Sequence, residues 1–291
     1  MANVNRLKKE PFSPLRYPGG KAKLGSWFAE LMIYNNLRNT TYIEPYAGGA
    51  GAALFLLFNN IVDKIVINDV DIAIFSIWHS ILFETKEFID KISSTNLDIP
   101  TWEKQKDIIE NHHKHSLVEI GFAAFFLNRV NVSGIITGGP IGGRTQNGKY
   151  KLDARFKKTN LIERIERIAT MKEKIMIFNE DALDFLDYID TNFGTDYFIY
   201  LDPPYFKKGS QLYRNHYKAD DHEKISKKVK KIKSPWLITY DNCQEIKNLY
   251  KDCNGLEFSL RYSASQKNRS IATELMYYGN IELHKPPSLI S

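Results

Sequence analysis

Short apolar runs recur along this chain, each ending near an acidic or amide residue and each followed by a segment that reads as a turn or helix. Tyr42-Ile43-Glu44, Lys64-Ile65-Val66-Ile67-Asn68, Ile175-Met176-Ile177-Phe178, Tyr197-Phe198-Ile199-Tyr200-Leu201 and Trp236-Leu237-Ile238-Thr239 are the strand candidates. Strands that are apolar on nearly every residue belong to a sheet covered on both faces. Alternation with helices makes the expected fold class α/β, a doubly wound and mostly parallel sheet. Two later runs, about Leu256–Leu260 and Glu274–Tyr278, predict an antiparallel edge. From Ile72 to Thr170 the chain is too long for one crossover, and long structureless connections are rare inside compact domains. That stretch is expected to be a mainly helical insertion, 72–170, within a domain built from 1–71 and 171–291. Its glycine-rich tract, Gly134–Gly148, ends in Asn147-Gly148, a pair typical of a tight hairpin turn.

Composition changes this picture little. At 43% hydrophobic and 25% charged, the 291-residue chain is of ordinary globular type, which excludes a disordered or collagen-like chain. The longest strongly apolar run, Ala52–Phe58, falls short of the roughly 20 residues a membrane span needs. The first ten residues lack the apolar stretch of a signal peptide. Cys243 and Cys253 are too far apart for metal or redox spacing, and two free thiols in a cytoplasmic protein are the expectation. A net charge of +6 suits a polyanionic partner such as nucleic acid. The lysine run from Lys224 to Lys233 carries Ile225, Val229 and Ile232 on one helical stripe, which favours a solvated face for its cations over a general attraction to DNA. His112, His113 and His115 point in different directions on a helix, and no metal is expected there.

Three stretches carry chemistry. Asp202-Pro203-Pro204-Tyr205 directly follows an apolar strand, where open α/β sheets bind ligands. Two prolines fix φ and remove two backbone donors. The motif therefore offers a carboxylate, a rigidly held carbonyl and an aromatic ring, which together fit a planar group bearing an NH2. Glu44-Pro45-Tyr46-Ala47-Gly48-Gly49-Ala50-Gly51 joins the first strand to its helix and lets backbone approach a ligand closely. Leu54 stands where a dinucleotide fingerprint has its third glycine. Alone, the loop fits an NAD site, an S-adenosylmethionine site or a tight turn. Asp69, about 20 residues on at the end of the next strand, suits ribose hydroxyls and favours a ribose-bearing cofactor. Pro14-Leu15-Arg16-Tyr17-Pro18-Gly19-Gly20-Lys21 adds a cation, an aromatic and a glycine turn before a helix.

Taken together, these motifs resemble the Dam-like, alpha-group DNA adenine-N6 methyltransferases. The order is the same over nearly the whole chain: Arg16–Lys21, the glycine loop, the insertion, then the DPPY motif. The resemblance implies a Rossmann-like methyltransferase sheet, with 72–170 as a DNA-binding target-recognition unit. It also implies an enzyme that takes a methyl group from S-adenosylmethionine, without a metal, to a flipped-out adenine in double-stranded DNA at a specific site. By it, Tyr17, Lys21, Asp69 and Asp202 contact the cofactor beside the loop residues Glu44, Pro45, Gly48, Gly49 and Gly51. Asp181 faces the cofactor's adenine amine. Tyr17 stands where many relatives carry tryptophan and keeps a stacking face. Asp202, Pro203, Pro204 and Tyr205 are the catalytic set, with Asp202 and the Pro203 carbonyl holding the target amine and Tyr205 stacking on the base.

Asn128, Arg129, Arg144, Lys149 and Tyr150 read either as DNA contacts, since Arg and Asn suit base edges and Lys suits phosphate, or as solvated charges of a flexible surface loop, and the resemblance adds Arg16 as a flanking DNA contact. The insertion departs from the version that reads GATC, so the recognition sequence does not carry over. A companion restriction endonuclease is compatible with the resemblance, and a membrane partner is not expected. The rival acceptors are cytosine N4, an RNA base or a protein side-chain amide. An NAD-dependent dehydrogenase and a silent DNA-binding module are the other classes, opposed by the DPPY motif and by the intact motif set.

Overall fold

The computed structural model describes residues 7–16, 21–206, 217–261 and 271–287. Its strands are β1 Thr41–Glu44, β2 Lys64–Asn68, β3 Ile175–Phe178, β4 Tyr197–Leu201, β5 Trp236–Asp241, β6 Asn254–Arg261 and β7 Ile271–Gly279. They form one seven-stranded sheet in the order β3-β2-β1-β4-β5-β7-β6. The first five are parallel, and β7 runs antiparallel to β5 and to β6. The apolar runs of the sequence thus fall on the strands expected of them.

The sheet is buried on both faces because alternate residues feed two clusters. Tyr42, Ile65, Ile67, Phe198, Tyr200, Leu237 and Met276 face one side, with α1 Gly25–Tyr34, α2 Gly51–Phe58 and the helices of 72–170. Ile43, Val66, Ile199, Leu201, Ile238, Tyr240 and Leu275 face the other, with α8 Ala182–Asn192, α9 Ala219–Val229 and α10 Gln244–Leu249. In α9, Ile225 and Val229 are buried while Lys224, Lys227 and Lys228 pair with Asp221, Glu223 and Asp187 on the outside.

Between β2 and β3 stand α3 Ile72–Phe83, α4 Thr85–Ser94, α5 Ile99–Glu110, α6 Leu117–Val130 and α7 Lys158–Ala169. Asp71, Asp98 and Ser116 cap the first turns of α3, α5 and α6, and Ser116 forms a reciprocal capping box with Glu119. Helices α3 and α6 are apolar nearly all round and cross closely. A Cβ at Gly121 would stand 2.3 Å from Ser80 Oγ and 2.4 Å from Ser76 O. Their buried side chains join the same cluster as α1 and α2, so the inserted helices extend the core of that face.

The tract at 134–148 differs from the expected hairpin. It is a run of turns closed by a single antiparallel bridge between Asn131 and Pro140. The reason lies in Gln146, whose amide donates to Ile141 O at 2.8 Å and accepts from Leu152 N at 3.0 Å. The loop is fastened by a side chain rather than by a strand ladder.

Candidate active site

The carboxyl ends of the parallel strands open onto a cavity of about 230 Å3. One wall is the loop after β1. Ala50 adopts a left-handed conformation (φ 45°) at the head of α2, which turns Gly49–Gly51 towards the cavity. Asp69, after β2, accepts from Gly48 N at 2.9 Å and from Asp71 N at 3.0 Å. Asn68, buried at the end of β2, bonds Pro45 O, Glu180 O and Glu180 N, each within 3.0 Å. One amide therefore locks the loops after β1, β2 and β3 together.

The opposite wall comes from the insertion. Ile135, Ile136 and Thr137 line the cavity with Ser13 and Leu15. Two buried asparagines hold this wall. Asn128 accepts from Arg16 N at 2.8 Å and donates to Arg16 O and Gly134 O at 2.6 and 2.8 Å. Asn131 accepts from Trp102 Nε1 at 2.7 Å and donates to Ile135 O and Ile136 O at 2.9 Å. Gly134 (φ +79°) lies so close to Arg16 that an added Cβ would stand 2.3 Å from its carbonyl oxygen.

At the β4 end, Asp202 is gripped from below. Lys21 Nζ, on the short helix Lys21–Leu24, donates to both its oxygens at 2.8 and 2.9 Å. Tyr200 OH lies 2.7 Å from Thr239 Oγ1, which donates to Asp202 Oδ1 at 2.9 Å. Lys21 also donates to Tyr205 OH at 3.3 Å and stands 3.6 Å from Glu274 Oε2, while Tyr205 OH donates to Glu274 Oε1.

Burial shapes the electrostatics. Alone it would push Lys21 down, but Asp202, Tyr200, Tyr205 and Glu274 outweigh it and hold the ammonium well above its usual range. Glu44, buried and facing Asp202, is pushed up to about 8 against the hydrogen bond from Tyr42 OH. Asp69 is pushed up to about 7 by burial and then by Asp71, against its two backbone hydrogen bonds. Glu274 is pushed up to about 7, chiefly by burial, with Lys21 opposing.

The structure gathers Lys21, Glu44, Pro45, Gly49, Gly51, Asp69 and Asp202 on the cavity lining. Gly48 stands just behind it through its bond to Asp69, and Tyr17 lies outside the described residues. Asp181 differs from expectation. It caps α8 by accepting from Leu183 N at 2.8 Å, and its neighbours Glu180 and Ala182 line the cavity instead. In the DPPY motif Pro204 lines the cavity, while Pro203 and Tyr205 are buried, with the Tyr205 hydroxyl turned to Lys21 and Glu274 rather than to the opening.

Arg16, Asn128 and Arg129 also differ from expectation. Arg16 donates to Asn131 O, and Arg129 to Arg155 O and Pro14 O, so all three make internal bonds instead of presenting their donors to DNA. Arg144, Lys149 and Tyr150 are exposed on the turn-rich loop.

The sequence reading missed Glu274, Thr239, Asn68 and Tyr217, the last lining the cavity with its OH 2.9 Å from Tyr46 OH. The available signal for Glu274 was a lone acid beside Leu275-Met276-Tyr277 in an otherwise apolar strand, since such acids are almost never fully buried unless paired.

The lining fits S-adenosylmethionine in its chemistry. Asp69 keeps lone pairs for ribose hydroxyls, Gly49–Gly51 offer close backbone at a helix N-terminus, and Leu15, Val70, Ile74 and Ile135 give apolar surface. Among the described residues, no group of three or more His, Cys, Asp and Glu could hold a metal ion, and no helix is long and apolar enough to cross a membrane.

A family model for D12 class N6 adenine-specific DNA methyltransferases matches residues 17–266. The chain is similar to the type II methyltransferase M.MjaIII of Methanocaldococcus jannaschii, with 24% identity over 214 residues, 68% of this chain and 70% of that protein. It is also similar to the type II methyltransferase M.CviBI of Paramecium bursaria Chlorella virus NC1A, with 22% identity over 238 residues, 81% of this chain and 86% of that protein. Among solved structures, the rRNA methyltransferase aviRa of Streptomyces viridochromogenes superposes with a TM-score of 0.38 at 13% identity, covering 96% of this chain and 90% of that one.

Proposed function

The chain belongs to the D12 class N6 adenine-specific DNA methyltransferases, and from that premise we propose that it methylates a specific DNA site by drawing one adenine out of the duplex to Asp202. When bound, S-adenosylmethionine would supply an electrophilic methyl on a sulfonium, the neutral thioether being the leaving group. The observation that carries the reading is Asp202 itself, fixed at the cavity edge by Lys21 at 2.8 and 2.9 Å and by Thr239 at 2.9 Å. The adenine amine is a poor nucleophile because its lone pair is delocalised into the ring. Hydrogen bonds from its two protons to Asp202 and to the Pro203 carbonyl favour a pyramidal nitrogen whose lone pair points at the methyl. The remaining work is positioning and electrostatics. Lys21, Tyr200 and Thr239 do that work by holding Asp202 still.

A target amine inside a stacked duplex must be extruded, at a cost of about a few kcal/mol. In this reading 72–170 serves as the target-recognition unit, and Arg144, Lys149 and Tyr150 are its exposed contacts to DNA. A companion endonuclease would need to read the same site.

The test is expression in a host free of DNA methylation. Nucleoside mass spectrometry should find N6-methyladenine, and single-molecule sequencing should place it at one short motif. Modification scattered without a motif would overturn site specificity, and methylcytosine alone would overturn the assignment of the acceptor.

A further inference from the structure

Methyl transfer leaves one proton too many on the target amine. The nitrogen gains a carbon as the C–S pair returns to sulfur, and one N–H bond must break with its pair returning to nitrogen. We propose that Glu274 is the terminus of this proton's path, reached from Asp202 through Lys21 and Tyr205. This rests on the reading of Asp202 given above.

The path is a continuous line of contacts. Asp202 lies 2.8 Å from Lys21 Nζ, Lys21 donates to Tyr205 OH at 3.3 Å, and Tyr205 OH donates to Glu274 Oε1. The steps balance. The amine proton passes to the Asp202 carboxylate. Tyr205 gives its hydroxyl proton to Glu274, Lys21 refills the phenol oxygen, and Asp202 refills Lys21. Asp202, Lys21 and Tyr205 end as they began, and Glu274 ends as a carboxylic acid. The Tyr205 hydroxyl can both give and accept, and Lys21 takes the proton from Asp202 only once its ammonium has given one to the phenol oxygen.

The surroundings of Glu274 favour uptake. It is 1% exposed on β7. Asp202 and Tyr205 face it from the end of β4, and Lys21 from its short helix. Asp241 stands opposite it across the β5–β7 pair and accepts from Phe206 N, while Phe258 is its partner on β6. Two carboxylates beside one ammonium leave the cluster one positive charge short, so a proton arriving at Glu274 neutralises it. Its pKa, pushed up to about 7 mainly by burial, keeps it able to take and release a proton near neutrality.

Single-turnover methyl transfer, with the DNA saturated by excess enzyme and S-adenosylmethionine, tests this between about pH 5.5 and 9. In the wild type the rate should rise with pH through about 7, because below that Glu274 already holds a proton. Glu274→Gln keeps an acceptor for Tyr205 but cannot titrate. It should run at least about tenfold slower, with that rise abolished, while S-adenosylhomocysteine and DNA bind as in the wild type. Tyr205→Phe should slow transfer similarly by interrupting the path. Infrared difference spectra of wild type against Glu274→Gln should contain a carboxylic-acid C=O band lost as pH rises through about 7. A wild-type rate and pH profile in Glu274→Gln would overturn the relay, and so would absence of the band. So would losses of rate and of ligand binding that run in parallel, because those mark a purely structural residue. Production of N6-methyladenine by the wild type separates all of these from a failure of the parent reading.

Discussion

The two walls of the cavity are built by different means. The strand-end wall holds Glu44, Asp69 and Asp202, acids whose positions are fixed by neighbouring strand ends, by Asn68 and by Lys21. The wall from the insertion is mostly apolar, and it is held by Asn128 and Asn131 gripping backbone carbonyls. On the first wall, buried acids are held at some cost in stability. On the second, neutral amides satisfy a strained loop and stabilise it. Substitutions should therefore separate the walls: the first loses activity, and the second loses stability.

The largest effect falls on the strand-end wall. In the proposed reading, Asp202→Ala removes the group that accepts the amine's hydrogen bond and first receives its proton. Transfer of labelled methyl groups into DNA should fall by at least about a thousandfold, given that such groups contribute roughly 100- to 10,000-fold each. DNA binding should persist. Wild-type turnover by this variant would remove the distinction between the walls.

Asn128→Ala addresses the other wall. It leaves Gly134 O buried and the half-buried Arg16 N and Arg16 O without their partner. Unpaired buried groups cost about 1–3 kcal/mol each, so a total of about 2–6 kcal/mol is expected, seen as a melting temperature lower by several degrees or more. An unchanged melting curve would mean that the wall does not depend on the clip.

A smaller effect distinguishes the walls by pH. Glu44 and Asp69 are pushed up to about 8 and about 7 by burial, while an unfolded chain has such acids near about 4. A group raised on folding favours the protonated native state. Its contribution is fully present below about pH 4 and is lost as pH rises through 7 to 8. The ligand-free protein should thus melt a few degrees lower at pH 9 than at pH 6, and Glu44→Gln should flatten that fall. Asn128→Ala should shift the whole curve without changing its slope.

The same division explains what the sequence disclosed. Apolar runs fall at strands with little ambiguity, because a sheet covered on both faces tolerates few polar residues, and the DPPY motif sits directly after one of them. Family membership then resolves the acceptor left open by the residues alone, adenine in DNA over cytosine, RNA or a protein amide, and it sets aside the dehydrogenase. Asn128 and Arg129 were legible as polar residues but not as internal ones. Their partners, Arg16 and Pro14, lie more than 100 residues away in the chain. The hairpin expected at Asn147-Gly148 failed for a similar reason, since a side chain, Gln146, replaces the ladder. Glu274 joins Lys21 and Tyr205 only once β7 is laid beside β5, a long-range pairing that no local motif announces.

The central claim is that an adenine leaves the duplex and enters the pocket at Asp202. The most direct measurement places 2-aminopurine at the target position of a cognate duplex and follows its fluorescence as enzyme and S-adenosylhomocysteine are added. The account predicts a severalfold rise as the base unstacks, saturating with DNA binding and absent when the analogue is moved outside the site. A tight, saturated complex with unchanged fluorescence would contradict it.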